Sequence, residues 1–348
     1  MKRFKCGLVV GKFSPLHLGH EHVIQRAFEA CTQVVLISYS KPEFPGCDAS
    51  TREGWLRQRF PLARVLVVTD SDLVRWPAVA NAFPAMPAND APGERHQAFC
   101  AALCSSVLGV RIDAVFGSEP YIPAFGAHLE LHQRRPGGGA NPVSAVLVDP
   151  ARCTVPISGS QLRGSPVAWR DWVAPEVNAS LVRRVALLGG ESTGKTTLAQ
   201  CMAQRFATAW VPEYGRERWE ERRGQLAYAD LLEIAREQVR REDAAARGAS
   251  QVLFCDTTPL TTLFYSLELF GQAEPELWEL SRRSYARLVL CEEDFLFQQD
   301  GTRRDAAFRA AQQAWYRQEL AARGLTYLAL QGPLEQRIAV LETHLRDR

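Results

Sequence analysis

The sequence contains no hydrophobic run long enough to cross a lipid bilayer. Its longest apolar runs, such as residues 34–37 and 185–188, have the length of a buried strand, whereas a transmembrane helix needs about 20 apolar residues. The first residues also lack the apolar core and the small-residue cleavage site of a secretory signal peptide. We therefore expect no membrane partner and no secretion.

Closely paired cysteines are missing as well. The nine cysteines, an odd number, are scattered without CxxC spacing, and this pattern indicates neither a disulfide framework nor a paired zinc ribbon. A reducing compartment fits such a chain best, so we expect a cytoplasmic location.

An excess of charge of one sign is also absent. The 41 Lys and Arg residues nearly balance the 39 Asp and Glu residues, for a net charge of +2, whereas proteins that neutralise a nucleic-acid backbone are usually strongly basic. We expect no nucleic-acid partner and only local binding of phosphate. With 348 residues, of which 46% are hydrophobic, the chain is long enough for two domains at about 150 residues each.

Strand-like apolar runs alternate with helix-length spacers along the chain. Alternation of this kind favours parallel sheets with crossover helices, so we expect two doubly wound parallel-sheet α/β domains. Helical patterns cover residues 231–246 and 306–323, and residues 164–180 are typical of a short ordered connector, with the boundary near residue 180. The predicted strands lie near residues 6–10, 34–38, 65–69, 114–116, 145–148, 185–188, 209–212, 252–255, 288–291 and 327–330.

The second half contains a phosphate-binding loop. Residues 189–196 read GGESTGKT and match GxxxxGK[ST] between an apolar strand and a helix. Such a loop turns its backbone N–H groups toward a polyphosphate, so ATP or GTP is the natural occupant; the alternative is a chance Gly-rich turn. Lys195 is expected to neutralise phosphate charge and Thr196 to ligand Mg²⁺. The predicted nucleotide contacts are Gly189, Glu191, Ser192, Thr193, Gly194, Lys195, Thr196 and Thr197.

An apolar run at residues 252–255 ends in Asp256. Next to a P-loop, an acid in this position indicates a group beside the bound Mg²⁺. The alternative is a helix cap for the turn at residues 257–259.

A second strand end carries the sequence EYGRE at residues 213–217. Glu213 could accept the proton of a substrate hydroxyl, and Tyr214 and Arg216 are candidate substrate contacts. The alternative is a surface salt-bridge cluster.

The turn DGTRR at residues 300–304 offers Arg303 as a cation that could close over transferred phosphate. Most turns of this composition have no such role.

The first half contains two histidines three residues apart. Residues 11–20 read GKFSPLHLGH after a predicted strand, which brings His17 and His20 together at a helix N-terminus. Imidazoles there can donate hydrogen bonds to the phosphates of ATP and stabilise leaving pyrophosphate, while Gly19 allows close approach of the nucleotide. The alternatives are surface helix residues or a weak metal site, which usually needs further ligands.

Residues 157–163 read ISGSQLR and place hydroxyls and a guanidinium at another predicted helix start. This set suits the far end of a triphosphate. The alternative is an ordinary Ser-capped helix.

The two motifs of the first half resemble HxGH and ISxTxxR of the nucleotidyltransferase superfamily, with Ser160 where Thr is usual. With VFGSEPY at 115–121, the P-loop, EYGRE and DTT at 256–258, their order resembles the NadR family. That family joins a nicotinamide mononucleotide adenylyltransferase to a ribosylnicotinamide kinase. The resemblance covers residues 7 to about 330.

The resemblance implies a bifunctional NAD salvage enzyme. We expect an adenylyltransferase domain over residues 1–172, a connector over 173–182 and a P-loop kinase domain over 183–348. Because the first predicted strand begins within ten residues of Met1, we expect the form without the N-terminal helix-turn-helix of some members. The proline-rich stretch 77–92 lies where members carry base-stacking aromatics, and Trp76 is the candidate there.

The resemblance also implies ligands and residue roles. We expect ATP, nicotinamide riboside, nicotinamide mononucleotide, NAD and Mg²⁺ as ligands, and homo-oligomerisation stays open. The rival hypotheses are the same architecture with another phosphorylated acceptor, or a nucleotide-sensing protein without catalysis. The expected catalytic residues are Lys12, His17, His20, Arg163, Lys195, Glu213 and Asp256; ATP contacts in the first domain are Gly11, Phe13, Gly19, Ser158 and Ser160; kinase substrate contacts are Glu213, Tyr214, Arg216, Asp256 and Arg303; Mg²⁺ ligands are Thr196 and Asp256.

Overall fold

The structure is a computed structural model that describes residues 2–134, 142–165, 169–294 and 305–346. Internal contacts divide the chain into two units, Met1–Ser180 and Leu181–Arg348. Each unit is built on one five-stranded parallel sheet, which confirms the expectation of two α/β domains. None of the helices in the described ranges is long and apolar enough to span a bilayer.

The sheet of the first unit has the strand order β3-β2-β1-β4-β5. Every described pairing is parallel, with Gly7 of β1 opposite Val34 of β2 on one side and opposite Ala114 of β4 on the other. The strands are β1 (Phe4–Gly11), β2 (Cys31–Ser38), β3 (Arg64–Val67), β4 (Ala114–Gly117) and β5 (Ser144–Leu147). The chain reverses its direction across the sheet between β1 and β4, and a crevice at such a switch point is where open α/β sheets bind ligands.

The described helices of the first unit lie between and after these strands. They are α1 (Leu18–Ala30), α2 (Ala49–Arg59), α3 (Asp70–Leu73), α4 (Pro77–Ala80), α5 (Gly93–Ala102), α6 (Ile122–His132), α7 (Gly159–Gly164), α8 (Trp169–Trp172) and α9 (Pro175–Leu181). A π-helical segment, Leu103–Val107, continues α5. One core cluster buries Leu8, Ile37 and Val115 of the strands with Phe99 of α5.

The proline-rich stretch 77–92 contains one helical turn, α4, which begins at Pro77. Proline is tolerated there because the first residue of a helix needs no backbone N–H for an intrahelical hydrogen bond.

The sheet of the second unit has the order β10-β9-β6-β8-β7, again with parallel pairings. Its strands are β6 (Arg183–Leu188), β7 (Trp210–Val211), β8 (Val252–Asp256), β9 (Arg287–Cys291) and β10 (Leu328–Leu330). All ten strands overlap the runs predicted from the sequence. The central strand β6 lies between β8 and β9, so the loop that follows β6 meets the carboxyl ends of both neighbours.

Helices cover both faces of the second sheet. They are α10 (Lys195–Arg205), α11 (Tyr214–Glu221), α12 (Tyr228–Ala246), α13 (Pro259–Phe270), α14 (Pro275–Leu280), α15 (Ala306–Ala322) and α16 (Leu334–Arg346). One core packs the sheet against α10 and α16, with Leu198 and Leu341 fully buried. The other packs it against α12, α13 and α15, with Leu263 and Tyr316 fully buried. Burial of both sheet faces accounts for the nearly continuous apolar runs of the strands.

Candidate active sites

The two histidines of the first unit lie at the N-terminus of α1, directly after β1. The N–H of Gly19 donates to Nδ1 of His17 (3.1 Å), and the N–H of His17 donates to Nδ1 of His20 (3.4 Å). The two rings stack with their centroids 3.7 Å apart. Because each Nδ1 accepts a hydrogen bond, each neutral ring carries its proton on Nε2. The loop therefore fixes both tautomers as well as the ring positions.

Both imidazoles are neutral near pH 7. Burial, followed by the positive charges of Arg152 and Arg163, lowers the pKa of His17 to about 4. Burial, His17 and the same two arginines lower the pKa of His20 well below its ordinary value, against the effect of a hydrogen bond with the backbone of Pro15. His17 is only 3% exposed, so the alternative of a surface histidine is wrong for it. Within the described ranges no group of three or more His, Cys, Asp or Glu residues could hold a metal ion.

Arg163 connects the ISGSQLR segment to the histidine loop. Its guanidinium donates to the carbonyl of Ser14 (2.9 Å) and to Oγ of Ser160 (3.1 Å), and it stacks on the ring of Phe44 at 4.4 Å. Ser158 caps α7, since its Oγ accepts from the N–H of Gln161 (3.2 Å). The segment is thus a Ser-capped helix, as the alternative stated, and it also brings the Arg163 guanidinium to the histidine loop. Binding of a triphosphate by this segment stays a prediction.

Lys12 is held at the mouth of the same site by the proline-rich stretch. Its Nζ donates to the carbonyl of Asn89 (3.3 Å). The Asn89 side chain in turn donates to the carbonyl of Pro42 (2.8 Å), and its Oδ1 accepts from Oγ of Ser40 (3.3 Å). Burial and the charge of Arg163 lower the pKa of Lys12. Asn89 therefore fastens the 77–92 stretch to the end of β2, whereas Trp76 packs against the first core.

A cavity of about 420 Å³ lies at the carboxyl ends of β1 and β4, where the switch point predicts a ligand site. The predicted residues that line it are Gly11, Lys12, His17, Gly19, His20, Ser158, Ser160 and Arg163. Phe13 is absent from this lining, because its ring is fully buried and packs edge-on against His20 with centroids 4.9 Å apart. A Cβ at Gly19 would lie 3.0 Å from the His17 ring, so glycine there makes room for the imidazole.

The sequence analysis missed Arg152, which also lines this cavity. Its guanidinium donates to the carbonyl of Ile157 (2.8 Å) and to Oε1 of Glu119 (2.6 Å). Arg152 follows Asp149, whose carboxylate accepts from three backbone N–H groups, those of Cys153, Thr154 and Val155. No motif contains Arg152; only its position between β5 and the ISGSQLR segment could have indicated a role.

In the second unit, residues 189–194 form the loop between β6 and α10. Nζ of Lys195 donates to the carbonyls of Gly189 and Gly190, both at 2.9 Å. Gly194 has φ +79° and Gly189 has φ +139°, conformations that favour glycine. The loop, the lysine and the helix N-terminus therefore meet as the GxxxxGK[ST] pattern predicts.

Asp256 lies at the end of β8, beside Thr196 of the P-loop. Thr196 donates its hydroxyl hydrogen to Oδ2 of Asp256. The other oxygen, Oδ1, is buried and has no hydrogen-bond partner within the described part of the chain. Helix α13 is capped by Thr258, whose Oγ1 accepts from the N–H of Leu260 (3.2 Å), so the alternative of Asp256 as its cap is wrong.

This arrangement fits a divalent cation of the kind that accompanies nucleoside triphosphates. A buried carboxylate oxygen without a partner is costly unless a ligand satisfies it, and Mg²⁺ usually takes one or two carboxylate or hydroxyl ligands together with phosphate oxygens. Burial raises the pKa of Asp256, against the opposing effects of Lys195, Thr196 and Arg216. A bound cation would favour the ionised carboxylate.

Glu213 lies close enough to Asp256 for the two carboxyl groups to influence each other. Burial first and the charge of Asp256 second raise the pKa of Glu213, against the effects of Lys195 and Arg216. The neighbouring acid Glu217 behaves differently, since it forms an ion pair with Arg241 at 2.6 Å. The two acids of the EYGRE run therefore have different surroundings. Glu213 lies in the P-loop site, whereas Glu217 belongs to a salt-bridge cluster.

The structure gives Tyr214 and Glu191, two further predicted contacts of the second unit, partners that the sequence motifs did not indicate. The ring of Tyr214 stacks against the guanidinium of Arg241 at 4.4 Å. Oε1 of Glu191 accepts a hydrogen bond from the Tyr265 hydroxyl (2.9 Å), a contact that no motif indicates. Arg303 lies outside the described residues.

A family model described as an AAA domain matches residues 184–337. This range runs from β6 into α16 and contains the P-loop, Asp256 and Glu213. A P-loop fold in the second unit is thus supported by sequence and by geometry.

Curated relatives match most of the chain. The trifunctional NAD biosynthesis/regulator protein NadR of Salmonella typhimurium is 29% identical over 324 residues, which cover 85% of this chain and 71% of that protein. The protein of the same name from Escherichia coli is 29% identical over 329 residues, with the same two coverages.

Two solved structures share the fold. A NadR protein in complex with NAD and AMP-PNP superposes with a TM-score of 0.65 at 18% identity, covering 100% of this chain and 97% of that one. A NadR protein in complex with NR gives a TM-score of 0.63 at 20% identity, covering 99% of this chain and 95% of that one.

Proposed function

We propose that this chain, which is similar to NadR proteins in sequence and in fold, is a bifunctional NAD salvage enzyme. In this proposal the second unit phosphorylates nicotinamide riboside with ATP, and the first unit adenylylates the resulting mononucleotide with a second ATP. The observation that carries the proposal is that one chain holds both a paired-imidazole cavity and a P-loop with a buried acid. The printed ligands of the two NadR structures, NAD, AMP-PNP and NR, support this choice of substrates.

The kinase half would work mainly by positioning and by electrostatics. The 5′-hydroxyl oxygen of the riboside attacks the γ-phosphorus of ATP, and the bond from that phosphorus to the oxygen of ADP breaks. Lys195 and the loop N–H groups hold the phosphates. Glu213 accepts the hydroxyl proton, a role suited to a carboxyl whose raised pKa lies closer to the working pH.

Thr196 and Asp256 would hold Mg²⁺ against the ATP phosphates, where the ion offsets the charge that develops on them. Arg216, whose charge acts on both Glu213 and Asp256, would steady the transferred phosphate. Tyr214 and Arg303 complete the proposed set of substrate contacts.

The adenylyltransferase half would use no covalent intermediate. A phosphate oxygen of nicotinamide mononucleotide attacks the α-phosphorus of ATP, the bond to the β-phosphate breaks, and pyrophosphate leaves. His17 and His20 would donate hydrogen bonds to the phosphates as neutral rings, while Lys12 and Arg163 supply positive charge. Gly11, Gly19, Ser158 and Ser160 would complete the ATP site. Phe13 would act indirectly, through its edge-on contact with the His20 ring.

A different phosphorylated acceptor in the first unit is the rival within the same architecture, because the histidine loop binds phosphates and says little about the acceptor base. A nucleotide sensor without turnover is the rival of another class. Glu213, with its raised pKa, argues against the sensor, since a protein that only binds nucleotides needs no proton acceptor near neutral pH.

Chromatography of the purified protein after incubation with nicotinamide riboside, ATP and Mg²⁺ tests the proposal. We expect both the mononucleotide and NAD, with Lys195→Ala blocking the first product and His20→Ala trapping the mononucleotide. Accumulation of mononucleotide alone in the unmutated protein would mean that the first unit has another acceptor or has lost activity. Absence of both products would overturn the proposed substrates in favour of an enzyme with other substrates or the sensor.

A further inference from the structure

Two consecutive glutamines of α15 hydrogen bond with the P-loop, although no motif includes them. Oε1 of Gln313 accepts from the N–H of Gly190 (2.8 Å), and Oε1 of Gln312 accepts from the N–H of Glu191 (3.0 Å). Gln313 is fully buried and Gln312 is 2% exposed. Adjacent side chains of one helix thus hold adjacent N–H groups of the phosphate loop.

Gln313 also connects the loop to the neighbouring strand. Its Nε2 donates to the carbonyl of Cys291 (3.2 Å), at the end of β9, and to Oε2 of Glu292 (3.0 Å). One carboxamide therefore makes three hydrogen bonds that join the P-loop, α15 and β9. A buried amide with its acceptor and both donor hydrogens in use can take only one orientation.

Close packing also holds the start of the P-loop against α15 and β9. A Cβ on Gly190 would lie 2.8 Å from Cγ and 2.9 Å from the carbonyl oxygen of Arg309 on α15. A Cβ on Gly189 would lie 2.5 Å from the carbonyl oxygen of Cys291. The first two residues of the loop are thus wedged between α15 and β9, and side chains larger than hydrogen do not fit there.

The backbone of Gly190 connects the hydrogen bond with Gln313 to the position of the Lys195 ammonium. The N–H of Gly190 is held by Gln313, while its carbonyl accepts from Nζ of Lys195 and from Oγ1 of Thr193 (2.8 Å). A rotation of this part of the backbone would therefore move the acceptors of the lysine ammonium. The N–H groups of Gly190 and Glu191 already have protein acceptors, which leaves the later part of the loop to bind phosphate.

We propose that Gln313, together with Gln312, is a positioning residue for ATP in the second site: it fixes the first half of the P-loop and, through Gly190, the place of Lys195. It acts through the loop and touches no substrate. The inference rests on the proposed function for its kinase readout, but nucleotide affinity tests it separately.

Gln313→Met keeps the length and volume of the side chain and removes all three hydrogen bonds. We expect the KM for ATP in riboside phosphorylation to rise about tenfold or more, because small displacements of binding groups have large effects on catalysis. The KM for the riboside should stay within about twofold, since the hydrogen bonds of Gln313 go to Gly190, Cys291 and Glu292 and to none of the proposed riboside contacts. Adenylylation of nicotinamide mononucleotide, which depends on the first unit, should be unchanged in the same preparation.

Gln318→Met is the matched control, because Gln318 lies on α15 and is exposed.

Calorimetry measures the binding of Mg·ATP to the full chain and gives the second readout. Lys195→Ala reports the nucleotide binding that persists when the P-loop site is disabled. If Gln313→Met fails to fold, Gln312→Met, which removes the single bond to Glu191, decides by the same measurements with a smaller expected loss.

Wild-type affinity for Mg·ATP in the Gln313 variant would overturn the proposal. So would an equal loss in Gln318→Met, or a parallel rise in both KM values with a lower melting temperature, since these indicate a general effect on folding. If the unmutated protein binds Mg·ATP and phosphorylates no nicotinamide riboside, the proposed function fails, while the affinity comparison still decides the role of Gln313.

Discussion

The Thr196 hydroxyl donates to one carboxylate oxygen of Asp256 and leaves the other oxygen buried without a partner in the described part of the chain. The two residues come from different strand ends, β6 through its P-loop and β8, which the sheet places side by side. A hydroxyl and a carboxylate in contact at a phosphate loop are the side-chain ligands that Mg²⁺ takes beside a nucleotide.

Asp256→Asn should therefore remove most of the kinase activity. The amide is nearly isosteric but lacks the charge that holds the cation, and we expect a loss of about 100-fold or more in kcat/KM for riboside phosphorylation. Assays over a range of Mg²⁺ concentrations check this, with saturation shifted to higher Mg²⁺. Adenylylation by the first unit serves as the control in the same sample, and an unchanged Mg²⁺ dependence would remove Asp256 from the metal site.

Glu213 should give the kinase an acidic limb in its pH profile. Burial and Asp256 raise the pKa of Glu213, and a proton acceptor must be ionised, so the rate should fall as the pH falls through that raised pKa. Measurement of kcat/KM against pH tests this. Glu213→Gln should lower the rate about 100-fold or more and abolish the limb.

Glu217→Gln is the matched control, because this acid lies four residues further along, in α11, and pairs with Arg241 outside the P-loop site. Its pH profile should follow that of the unmutated protein. An acidic limb that persists in Glu213→Gln would assign the titration to another group.

The central strands could be predicted from the sequence because residues on both of their faces are buried, as at residues 34–37 and 185–188, so apolar runs bounded by turns mark them directly. The P-loop and the histidine loop could be located because the residues that their proposed chemistry needs lie within ten positions of one another, as in the run from Gly11 to His20. Arg152 and Gln313 could not, since a single Arg or Gln outside a motif carries no local pattern. The contact between Gln313 and Gly190 spans 123 positions.

Arg152→Ala should weaken ATP binding in the first unit. The guanidinium lines the cavity, and its charge acts on His17 and His20, so a triphosphate entering the cavity would meet it. We expect the KM for ATP in adenylylation to rise about tenfold, the scale of one charge-assisted hydrogen bond. Arg75→Ala, an exposed arginine of the same unit with a side chain 72% exposed, is the control, and equal effects of the two variants would contradict the role.

The buried imidazoles should make the first unit sensitive to acid. Burial lowers the pKa of His17 to about 4, whereas in the unfolded chain it returns to about 6.5. Between these values the unfolded state binds the extra proton, so the free energy of unfolding falls as the pH falls, by about 2 kcal/mol at pH 5 for this residue alone. Above about pH 7 both states are neutral and the effect vanishes.

Urea unfolding at pH 7.5 and pH 5, followed for the full chain, measures this difference. His17→Asn keeps a side-chain acceptor for the N-terminus of α1 and removes the titrating ring, so it should lose less stability between the two pH values than the unmutated protein while losing adenylylation. Gln133 accepts from the N–H of Ile112 in the same unit through a side chain that does not titrate, and Gln133→Asn should keep the full acid sensitivity. Equal acid sensitivity in His17→Asn and the unmutated protein would show that the imidazole ionises as readily folded as unfolded, and would contradict its role as a neutral donor.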